Sequence, residues 1–366
     1  MINKAVIKNF GTLTNIKWEN LGKINLIIGE NSSGKTFLLK ALYSTMRTIE
    51  EYKRGDDKRS ENEILSEKLY WTFQTEKIGD LVSKTSTSTP CKGCQERADG
   101  DEKFSDLVAK TSTTKLSCEI TFDNKEFHYQ FGKDTTKIIQ SLTNRTSPRM
   151  SNSIFLPSKE VLSIYHLILE SREKDKLFGF DDTYLDLVRA LALPRKGGES
   201  YPKFANSRKA LEDILGGKVE YDEITTRWQF KKGNQKFAIG VTAEGIKKIA
   251  ILDSLLANRY LDTESIIFID EPESALHPAA ISKLLDIIKV LAHSGIQFFL
   301  ASHSYFVIKK LYLIARKNNF SIPFISLNNN QNGEVGYDDL LNGMPDNSII
   351  DESIRLYKEE INGVLE

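Results

Sequence analysis

The sequence lacks several features that would point to a secreted, membrane-spanning or generally nucleic-acid-binding protein. Its 366 residues include only three cysteines, Cys91, Cys94 and Cys118, so a disulfide framework is not expected. Lys plus Arg and Asp plus Glu number 50 each, so no net field draws the whole molecule towards polyanions. No apolar run reaches the ~18 residues of a membrane span, and the N-terminal MINKAVIKNF has no signal-peptide h-region. With 40% hydrophobic residues, the composition predicts a globular protein of the reducing cytoplasm.

A phosphate-binding pattern is present in residues 27–42, IIGENSSGKTFLLKAL. The pattern GxxxxGK[ST] follows a β-rich run and precedes an apolar-periodic segment, which predicts strand, loop and helix. In such a turn the backbone N–H groups point at phosphates, Lys35 adds a positive charge and the Thr36 hydroxyl ligates Mg²⁺. A chance match in a glycine-bearing loop is the alternative. The predicted phosphate-binding residues are Gly29, Glu30, Asn31, Ser32, Ser33, Gly34, Lys35 and Thr36.

A second motif, SIIFIDEPESALHP, occupies residues 265–278. Its continuous apolar run predicts a central strand that is covered on both faces. At the C-terminal end of that strand, Asp270 is expected to hold Mg²⁺ through water, and Glu271 to orient and deprotonate an attacking water. The alternative makes these two acids the N-cap and first-turn acid of a helix after Pro272.

A third segment, IQFFLASHSYFVI, predicts another buried strand that ends near Ser302 and His303. An imidazole at His303 would reach a γ-phosphate from the neighbouring strand. Taken alone, a histidine after a strand is more often simply packed. Its place in the order of motifs favours the functional interpretation.

The order of these motifs resembles that of the ABC-type P-loop ATPases, and more narrowly the RecF/SMC-like and OLD-like branch, AAA-family ATPases found in bacterial anti-phage systems. The resemblance covers residues 1–50 and about 150–360, and includes DEPE..LHP and IKNFGTLTNIKWENLGKINLIIGENSSGKT. It implies an α/β fold, an ABC-type ATPase head with a mixed central sheet, an antiparallel lobe and a helical lobe. It also implies that ATP with Mg²⁺ lies between two protomers of a homodimer or higher oligomer. Each protomer then gives its P-loop to one nucleotide and a signature motif to the other.

The candidate signature is VTAEGIKKIAILDSLL, residues 241–256. Thr242 and Gly245 take the places of the serine and a glycine of the usual LSGGQ, at the N-terminus of an amphipathic helix. Ala243 and Glu244 depart from that pattern, and no glutamine follows. The aspartate of the family's D-loop is replaced by His277, as in the OLD-like branch, and an interface position is the role considered for it.

Residues 153–163, SIFLPSKEVLS, lie where the resemblance places a glutamine-bearing Q-loop, but they contain no glutamine. Two interpretations of Lys159 and Glu160 remain open. They are either contacts to a lid or a partner, or the start of a solvent-facing helix.

The whole chain, 1–366, is predicted to be one ATPase head with a polar insertion at 51–115 and a helical lobe or insertion at 159–235. In the first insertion, DLVSKTSTST recurs as DLVAKTSTTK with a 26-residue offset. The copies enclose a CxxC pair, Cys91 and Cys94. Two such pairs from two protomers would complete a Zn²⁺ site, but an exposed loop is the plainer interpretation.

The segment KLSCEITFDNKEFHYQF alternates polar and apolar residues, which predicts a hairpin of the antiparallel lobe. The second insertion shows a mostly helical pattern and is locally basic. Phosphate backbones of nucleic acid are therefore conceivable partners, although a solvated helical face is the simpler explanation. The basic residues are Arg189, Arg195, Lys196, Lys203, Arg208 and Lys209.

Nuclease signatures are not readable in the sequence. Only 63 residues follow His303, too few for a TOPRIM nuclease domain, and the DxD of Asp99 and Asp101 falls in the polar insertion. The ATPase is therefore expected to be the whole protein, acting with a separate effector in an anti-phage or toxin-like system. The alternative function is a RecF-like DNA-binding ATPase in repair or replication.

Overall fold

The computed structural model describes residues 1–83, 114–194, 204–327 and 335–365. The strands are β1 (Ile2–Phe10), β2 (Leu13–Trp18), β3 (Ile24–Gly29), β4 (Lys115–Phe122), β5 (Lys125–Gly132), β6 (Ser141–Asn144), β7 (Ser153–Leu156), β8 (Lys218–Asp222), β9 (Arg227–Lys232), β10 (Gln235–Ala238), β11 (Ile266–Asp270), β12 (Gln297–Ser302), β13 (Pro323–Leu327) and β14 (Val335–Asp339). The helices are α1 (Lys35–Glu51), α2 (Glu61–Phe73), α3 (Tyr165–Leu169), α4 (Asp182–Leu191), α5 (Ala205–Leu215), α6 (Glu244–Ala257), α7 (Pro278–His293), α8 (Tyr305–Asn318) and α9 (Ser348–Leu365). None of the helices in these ranges is both long and apolar enough to cross a membrane.

The central sheet has six strands in the order β14-β13-β3-β12-β11-β7. All neighbouring pairs are parallel except β13 and β14. Both faces are covered, which explains why β3 is apolar at consecutive positions. Leu26 and Ile28 pack into a core with helices α4 to α8, and Ile27 packs on the other face with α1 and the antiparallel sheet.

The antiparallel lobe is a five-stranded sheet in the order β2-β1-β4-β5-β6. The predicted hairpin is β4 and β5, joined by a tight turn at Asp123 and Asn124 with positive φ at both residues. Together with the central sheet, this lobe confirms the predicted α/β head with a mixed sheet and an antiparallel lobe.

The prediction of a mostly helical pattern over 159–235 is wrong for its last part. Helices α3 to α5 end at Leu215, and β8, β9 and β10 then form a three-stranded antiparallel sheet. The apolar residues follow a period of two there, because Val219, Trp228 and Phe230 bury one face of this sheet against the helical core.

The described part of the polar insertion, residues 51–83, contains α2, which packs on α1. Its start is a capping box formed by Ser60 and Glu63, and Leu65 and Leu69 are buried. The duplicated segment and the CxxC of Cys91 and Cys94 lie largely or wholly outside the described residues.

Candidate active site

Three loops that carry the sequence motifs meet at one edge of the central sheet. Strands β3, β12 and β11 are parallel neighbours, so the segments after Gly29, Ser302 and Asp270 leave the sheet on the same side. The carboxyl ends of such strands are where α/β folds place their ligands. The sequence-predicted residues of the three motifs are thereby brought together.

The loop between β3 and α1 has the backbone expected of a phosphate cradle. Gly34 has φ 95°, and a Cβ atom there would lie 2.8 Å from Thr12 Oγ1, so a side chain does not fit. Ser32 is also left-handed, with φ 65°. Helix α1 begins at Lys35 without an acidic residue in its first turn, so its N-terminal dipole favours an anion. The predicted order of strand, loop and helix is confirmed.

The Lys35 ammonium lies inside this loop. Its Nζ donates to the carbonyls of Gly29 at 2.8 Å and Glu30 at 2.6 Å. Burial lowers the pKa of Lys35, and the carboxylates of Glu271 and Asp270 oppose that effect. The lysine is therefore held between the cradle and the acids of the second motif.

Thr36 and Asp270 are in direct contact. The Thr36 hydroxyl lies 3.0 and 2.9 Å from the two carboxylate oxygens of Asp270 and donates to them. Burial raises the pKa of Asp270 to about 6, and the hydrogen bond from Thr36 opposes this. A hydroxyl and a carboxylate are hard oxygen donors of the kind that bind Mg²⁺. Across the described residues, no group of three or more His, Cys, Asp or Glu side chains could hold a metal ion, so phosphate oxygens or water would have to complete the coordination.

Glu271 has a left-handed backbone, with φ 49°, which is uncommon outside glycine. Two hydrogen bonds hold it there. Its N–H donates to the carbonyl of Ala301 at 2.9 Å, and its carbonyl accepts from Lys248 Nζ at 3.2 Å. This conformation lets the Glu271 side chain line the cavity at the phosphate cradle.

The alternative that treated Asp270 and Glu271 as helix caps is wrong. Asp270 is the last residue of β11, and α7 does not begin until Pro278. His277 is the N-cap of that helix, with Nδ1 accepting from the Ala279 N–H at 3.2 Å. The structure thus gives His277 a local capping role that the sequence did not reveal.

His303 lies beside Glu271, as expected for a residue at the end of the neighbouring strand. Its Nδ1 is 3.3 Å from Glu271 Oε1. A carboxylate not singled out from the sequence, Glu273, fixes this arrangement. Glu273 Oε1 accepts from the Ser302 hydroxyl at 2.8 Å and from the His303 N–H at 3.3 Å. Glu273 lies in an irregular loop between β11 and α7, so no periodicity could have identified it.

The phosphate cradle opens into a cavity of about 470 Å³ that is also lined by the end of α2. The rings of Phe37 and Phe73 lie there with centroids 4.5 Å apart. The Thr72 hydroxyl and the Gln74 Nε2 are buried and have no hydrogen-bond partner among the residues that the structure describes. These α2 residues come from the polar insertion, and no sequence motif marked them as part of the site.

A larger cavity, about 780 Å³, lies between α1, α2 and α4 and is lined mainly by charged side chains. Its charges are largely paired with each other. Lys68 contacts Glu51, Asp182 and Asp186 at 3.0 to 3.2 Å. Burial alone would raise the pKa of Asp186, but Lys68 and Arg47 lower it to about 2. Because these groups satisfy one another, the smaller cavity is the better candidate for the site.

The candidate signature lies at the start of α6. Neither Thr242 nor Gly245 lines the 470 Å³ cavity. Gly245 has a local reason to lack a side chain, because a Cβ atom there would lie 2.6 Å from Leu276 Cδ2 and 2.8 Å from the Ala275 carbonyl oxygen. Any substitution of Gly245 therefore disturbs the packing of its own chain.

The segment 153–163 does not begin a helix at Lys159 and Glu160. It forms β7 at the edge of the central sheet, and α3 starts only at Tyr165. Glu160 pairs with the buried Lys247 of α6 at 3.2 Å, whereas Lys159 is exposed. The solvent-facing helix is thus wrong, and a lid or partner contact stays a prediction for Lys159.

In the predicted basic region, some of the basic side chains form ion pairs with acidic residues, and others lie outside the residues that the structure describes. Arg189 pairs with Glu173 at 2.7 Å, and Arg208 pairs with Asp253 at 2.9 Å. Arg195, Lys196 and Lys203 lie outside the described residues. The paired arginines favour a structural role over a continuous phosphate-binding surface.

Comparison with known proteins agrees with this geometry. The family described as "AAA ATPase domain" matches residues 1–187, and the family described as "AAA domain, putative AbiEii toxin, Type IV TA system" matches residues 121–309. A Helicobacter pylori protein named "ATP/GTP phosphatase" is 22% identical over 346 residues, which cover 88% of this chain and 90% of the relative.

Solved structures of SMC heads share the fold. An SMC head bound to the C-winged helix domain of ScpA matches with a TM-score of 0.52 at 15% identity, over 92% of this chain and 97% of that one. A Pyrococcus furiosus SMC head, with an extended coiled coil and bound to the C-terminal domain of ScpA, matches with a TM-score of 0.50 at 12% identity. That match covers 98% of each chain.

Proposed function

The chain belongs to the AAA ATPase domain family and is an ATP-hydrolysing P-loop enzyme, and on this premise we propose that it uses ATP as a dimerisation switch. One observation carries the proposal. In one chain, Asp270 contacts Thr36 of the cradle and His303 lies beside Glu271, whereas Thr242 and Gly245 do not line the cavity at the cradle. A second copy of the chain would bring the start of its α6 to the nucleotide and complete the site.

Within one chain, the proposed chemistry is a division of work among the three motifs. Lys35 and the loop N–H groups bind the phosphates. Glu271 orients the attacking water and accepts its proton, and His303, 3.3 Å from Glu271 Oε1, holds that carboxylate and would reach the γ-phosphate of a bound nucleotide. The hydrogen bonds of the Glu271 backbone N–H and carbonyl, to Ala301 and from Lys248, keep the base in place.

Thr36 and Asp270 are the residues that would hold Mg²⁺. They fit the ion, because the Thr36 hydroxyl oxygen lies 3.0 and 2.9 Å from the two carboxylate oxygens of Asp270, which places three oxygen donors together. When bound, the ion supplies positive charge that offsets the phosphates. The ionised Asp270 is costly where it is buried, and a cation at this position would remove that cost.

We place the nucleobase at the end of α2. The paired rings of Phe37 and Phe73 offer an aromatic surface, and a purine stacks on such a surface. The Thr72 hydroxyl and Gln74 amide nitrogen, which lack a partner within the described ranges, would then hydrogen-bond the base edge. On this arrangement, α2 closes one side of the nucleotide site.

Mixing two inactive variants tests whether the site is shared between chains. Lys35→Ala removes the positive charge of the cradle and with it phosphate binding. Thr242→Arg blocks the signature while leaving the cradle of its own chain intact. A dimer that contains one of each has a single complete site, formed by the cradle of one chain and the signature of the other. Mixed in equal amounts, the variants should recover up to about a quarter of the wild-type ATPase rate, since half the dimers are mixed and each has one of two sites.

Each variant measured alone is the control for this experiment. Both should be inactive, and Thr242→Arg should still bind ATP through its intact cradle. Full activity of Thr242→Arg alone, or no recovery on mixing although mixed dimers are detected, would contradict a shared site.

For the biological role, we propose the regulatory ATPase of an OLD-like, toxin-like or anti-phage system with a separate effector protein. The family description that names AbiEii toxin and a type IV toxin–antitoxin system supports this role. Cells that carry the chain with its neighbouring gene should resist phage, and Lys35→Ala should abolish resistance. ATP-dependent DNA binding with a steep salt dependence, together with no resistance, would favour the RecF-like alternative.

A further inference from the structure

Among the residues that the structure describes, the last helix, α9, contacts the rest of the molecule through its first turn. The Asn347 side chain caps it by accepting from the N–H groups of Ile349 and Ile350 at 3.1 and 3.2 Å. Ser348 donates to Glu30 Oε1 of the phosphate-binding loop at 2.9 Å. Ile349 and Ile350 pack against the helical core. The base of α9 is thus fixed beside the nucleotide site, and the rest of the helix extends away from that anchor.

Beyond this first turn, α9 exposes an apolar stripe formed by Ile354, Tyr357 and Ile361. Their exposed fractions are 47%, 63% and 42%. They continue from Ile350 at spacings of four, three and four residues, which is the a/d pattern of a coiled coil. In the described structure nothing packs on this stripe, and isolated helices of this kind bury such a face against another helix.

On the opposite side of α9, ion pairs between residues of the helix itself stabilise it. Arg355 pairs with Glu352 at 2.6 Å and also with Glu359, one turn away on each side. Such i,i+3 and i,i+4 pairs support a helix that projects into solvent. The helix therefore combines a polar face that is already satisfied with an apolar face that is not.

We propose that the apolar stripe binds the α9 helix of a second copy of this chain in antiparallel orientation. In that orientation Ile354 of one helix faces Tyr357 of the second copy, and Ile361 meets the part of Ile350 that the helical core leaves exposed, so the stripe is complementary to itself about a two-fold axis. An isologous contact of this kind closes into a dimer.

The charges that flank the stripe select this occupant and this orientation. Asp351 and Lys358 both occupy the e position, on the same side of the stripe. Neither has an ion-pair partner within the described part of the chain. In the antiparallel pair, Asp351 of each helix meets Lys358 of the other, which gives two symmetric pairs of opposite charge.

This contact is distinct from the ATP sandwich, although it deepens the proposed switch. It needs no nucleotide, because none of its residues lines the nucleotide cavity. An interface confined to three exposed side chains per helix is smaller than the ~1,200 Å² of stable complexes, so weak, concentration-dependent association is expected. By keeping two copies near each other, it would raise the effective concentration for closure on ATP.

The test is sedimentation equilibrium of Lys35→Ala, which isolates the α9 contact from the nucleotide. The protein should dimerise as its concentration rises. Adding Tyr357→Glu should raise the dissociation constant at least ~10-fold, because it places an unpaired charge at the centre of the contact. Leu356→Glu is the matched control: Leu356 is 52% exposed on the same helix but lies off the stripe, so dimerisation should be unchanged.

Charge exchange identifies the partner and the orientation. Asp351→Lys or Lys358→Asp alone should weaken dimerisation by opposing like charges, and the double variant should restore it. Circular dichroism of each variant checks that α9 stays helical. A strictly monomeric protein at all concentrations, equal effects of Tyr357→Glu and Leu356→Glu, or no restoration by the double variant would each overturn the proposal. ATP-dependent dimers that form in spite of such a result would leave the sandwich standing and remove only the α9 contact.

Discussion

Replacing Glu273 with alanine is expected to slow ATP hydrolysis without weakening ATP binding. Glu273 Oε1 accepts from the Ser302 hydroxyl at 2.8 Å and from the His303 N–H at 3.3 Å. These bonds join the end of β12 to the loop that carries Glu271. Ser302 is fully buried, so its hydroxyl loses its acceptor in the variant and the turn that presents His303 is released.

The size of the effect follows from those two hydrogen bonds. A hydrogen bond to a charged group contributes about 1.5–3 kcal/mol, and 1.36 kcal/mol of activation free energy is about tenfold in rate. If the energy of one of these two bonds serves to hold His303 beside Glu271, kcat falls ~10- to 100-fold. KM for ATP should change by less than ~3-fold, because Glu273 does not line the nucleotide cavity. Steady-state phosphate release over a range of ATP concentrations measures both constants.

Two further variants decide whether Glu273 acts through His303. Glu273→Gln keeps an acceptor oxygen and should remain within a few-fold of the wild type. The double variant Glu273→Ala with His303→Ala should be no slower than His303→Ala alone, since both changes remove the same contact. Losses that add in the double variant, or a large rise in KM with kcat unchanged, would refute the positioning role.

Three other perturbations have defined outcomes. Lys35→Ala should abolish ATP binding in calorimetric titration, because it removes the charge held inside the phosphate-binding loop; tight binding would contradict the assignment. Lys68→Met should lower the free energy of unfolding by about 1.5–3 kcal/mol in urea, because the buried Asp182 and Asp186 lose one charged hydrogen-bond partner although Arg172 and Arg47 still pair with them, and a loss below ~0.5 kcal/mol would contradict that reasoning. Cys91→Ser with Cys94→Ser should leave the ATPase rate unchanged, and stoichiometric zinc that is lost in this variant would contradict it. Cys118, whose burial raises its pKa to about 12, should then react with a thiol reagent only after unfolding.

The motif-bearing parts of the site could be predicted because their signals are local. The GxxxxGK[ST] pattern favours its own backbone, and the short apolar runs before Asp270 and Ser302 are typical of strands covered on both faces. Parallel strands place their ends at one edge, so the proximity of Glu271 and His303 followed from the sequence.

Other parts depend on contacts that no local pattern encodes. Glu273 reaches Ser302 across 29 residues of chain, and its loop has no periodicity. The end of α2 lines the cavity at the phosphate-binding loop because its buried face packs on α1, although the surrounding insertion is polar. Over residues 218–238 the short apolar runs fit both a helical and a strand period, so periodicity alone could not distinguish the two. The contacts of Trp228 and Phe230 with the helical core stabilise the strands.

The most direct test of the ATP switch is the assembly state of Glu271→Gln, measured by light scattering with and without ATP and Mg²⁺. Glutamine keeps the shape of Glu271 but cannot take the proton, so ATP should bind while hydrolysis slows by about two to four orders of magnitude. At protein concentrations where the apo chain is monomeric, the variant should become a dimer only with ATP, and adding Thr242→Arg should prevent this. A Glu271→Gln protein that binds ATP but has the same mass with and without it would contradict the switch.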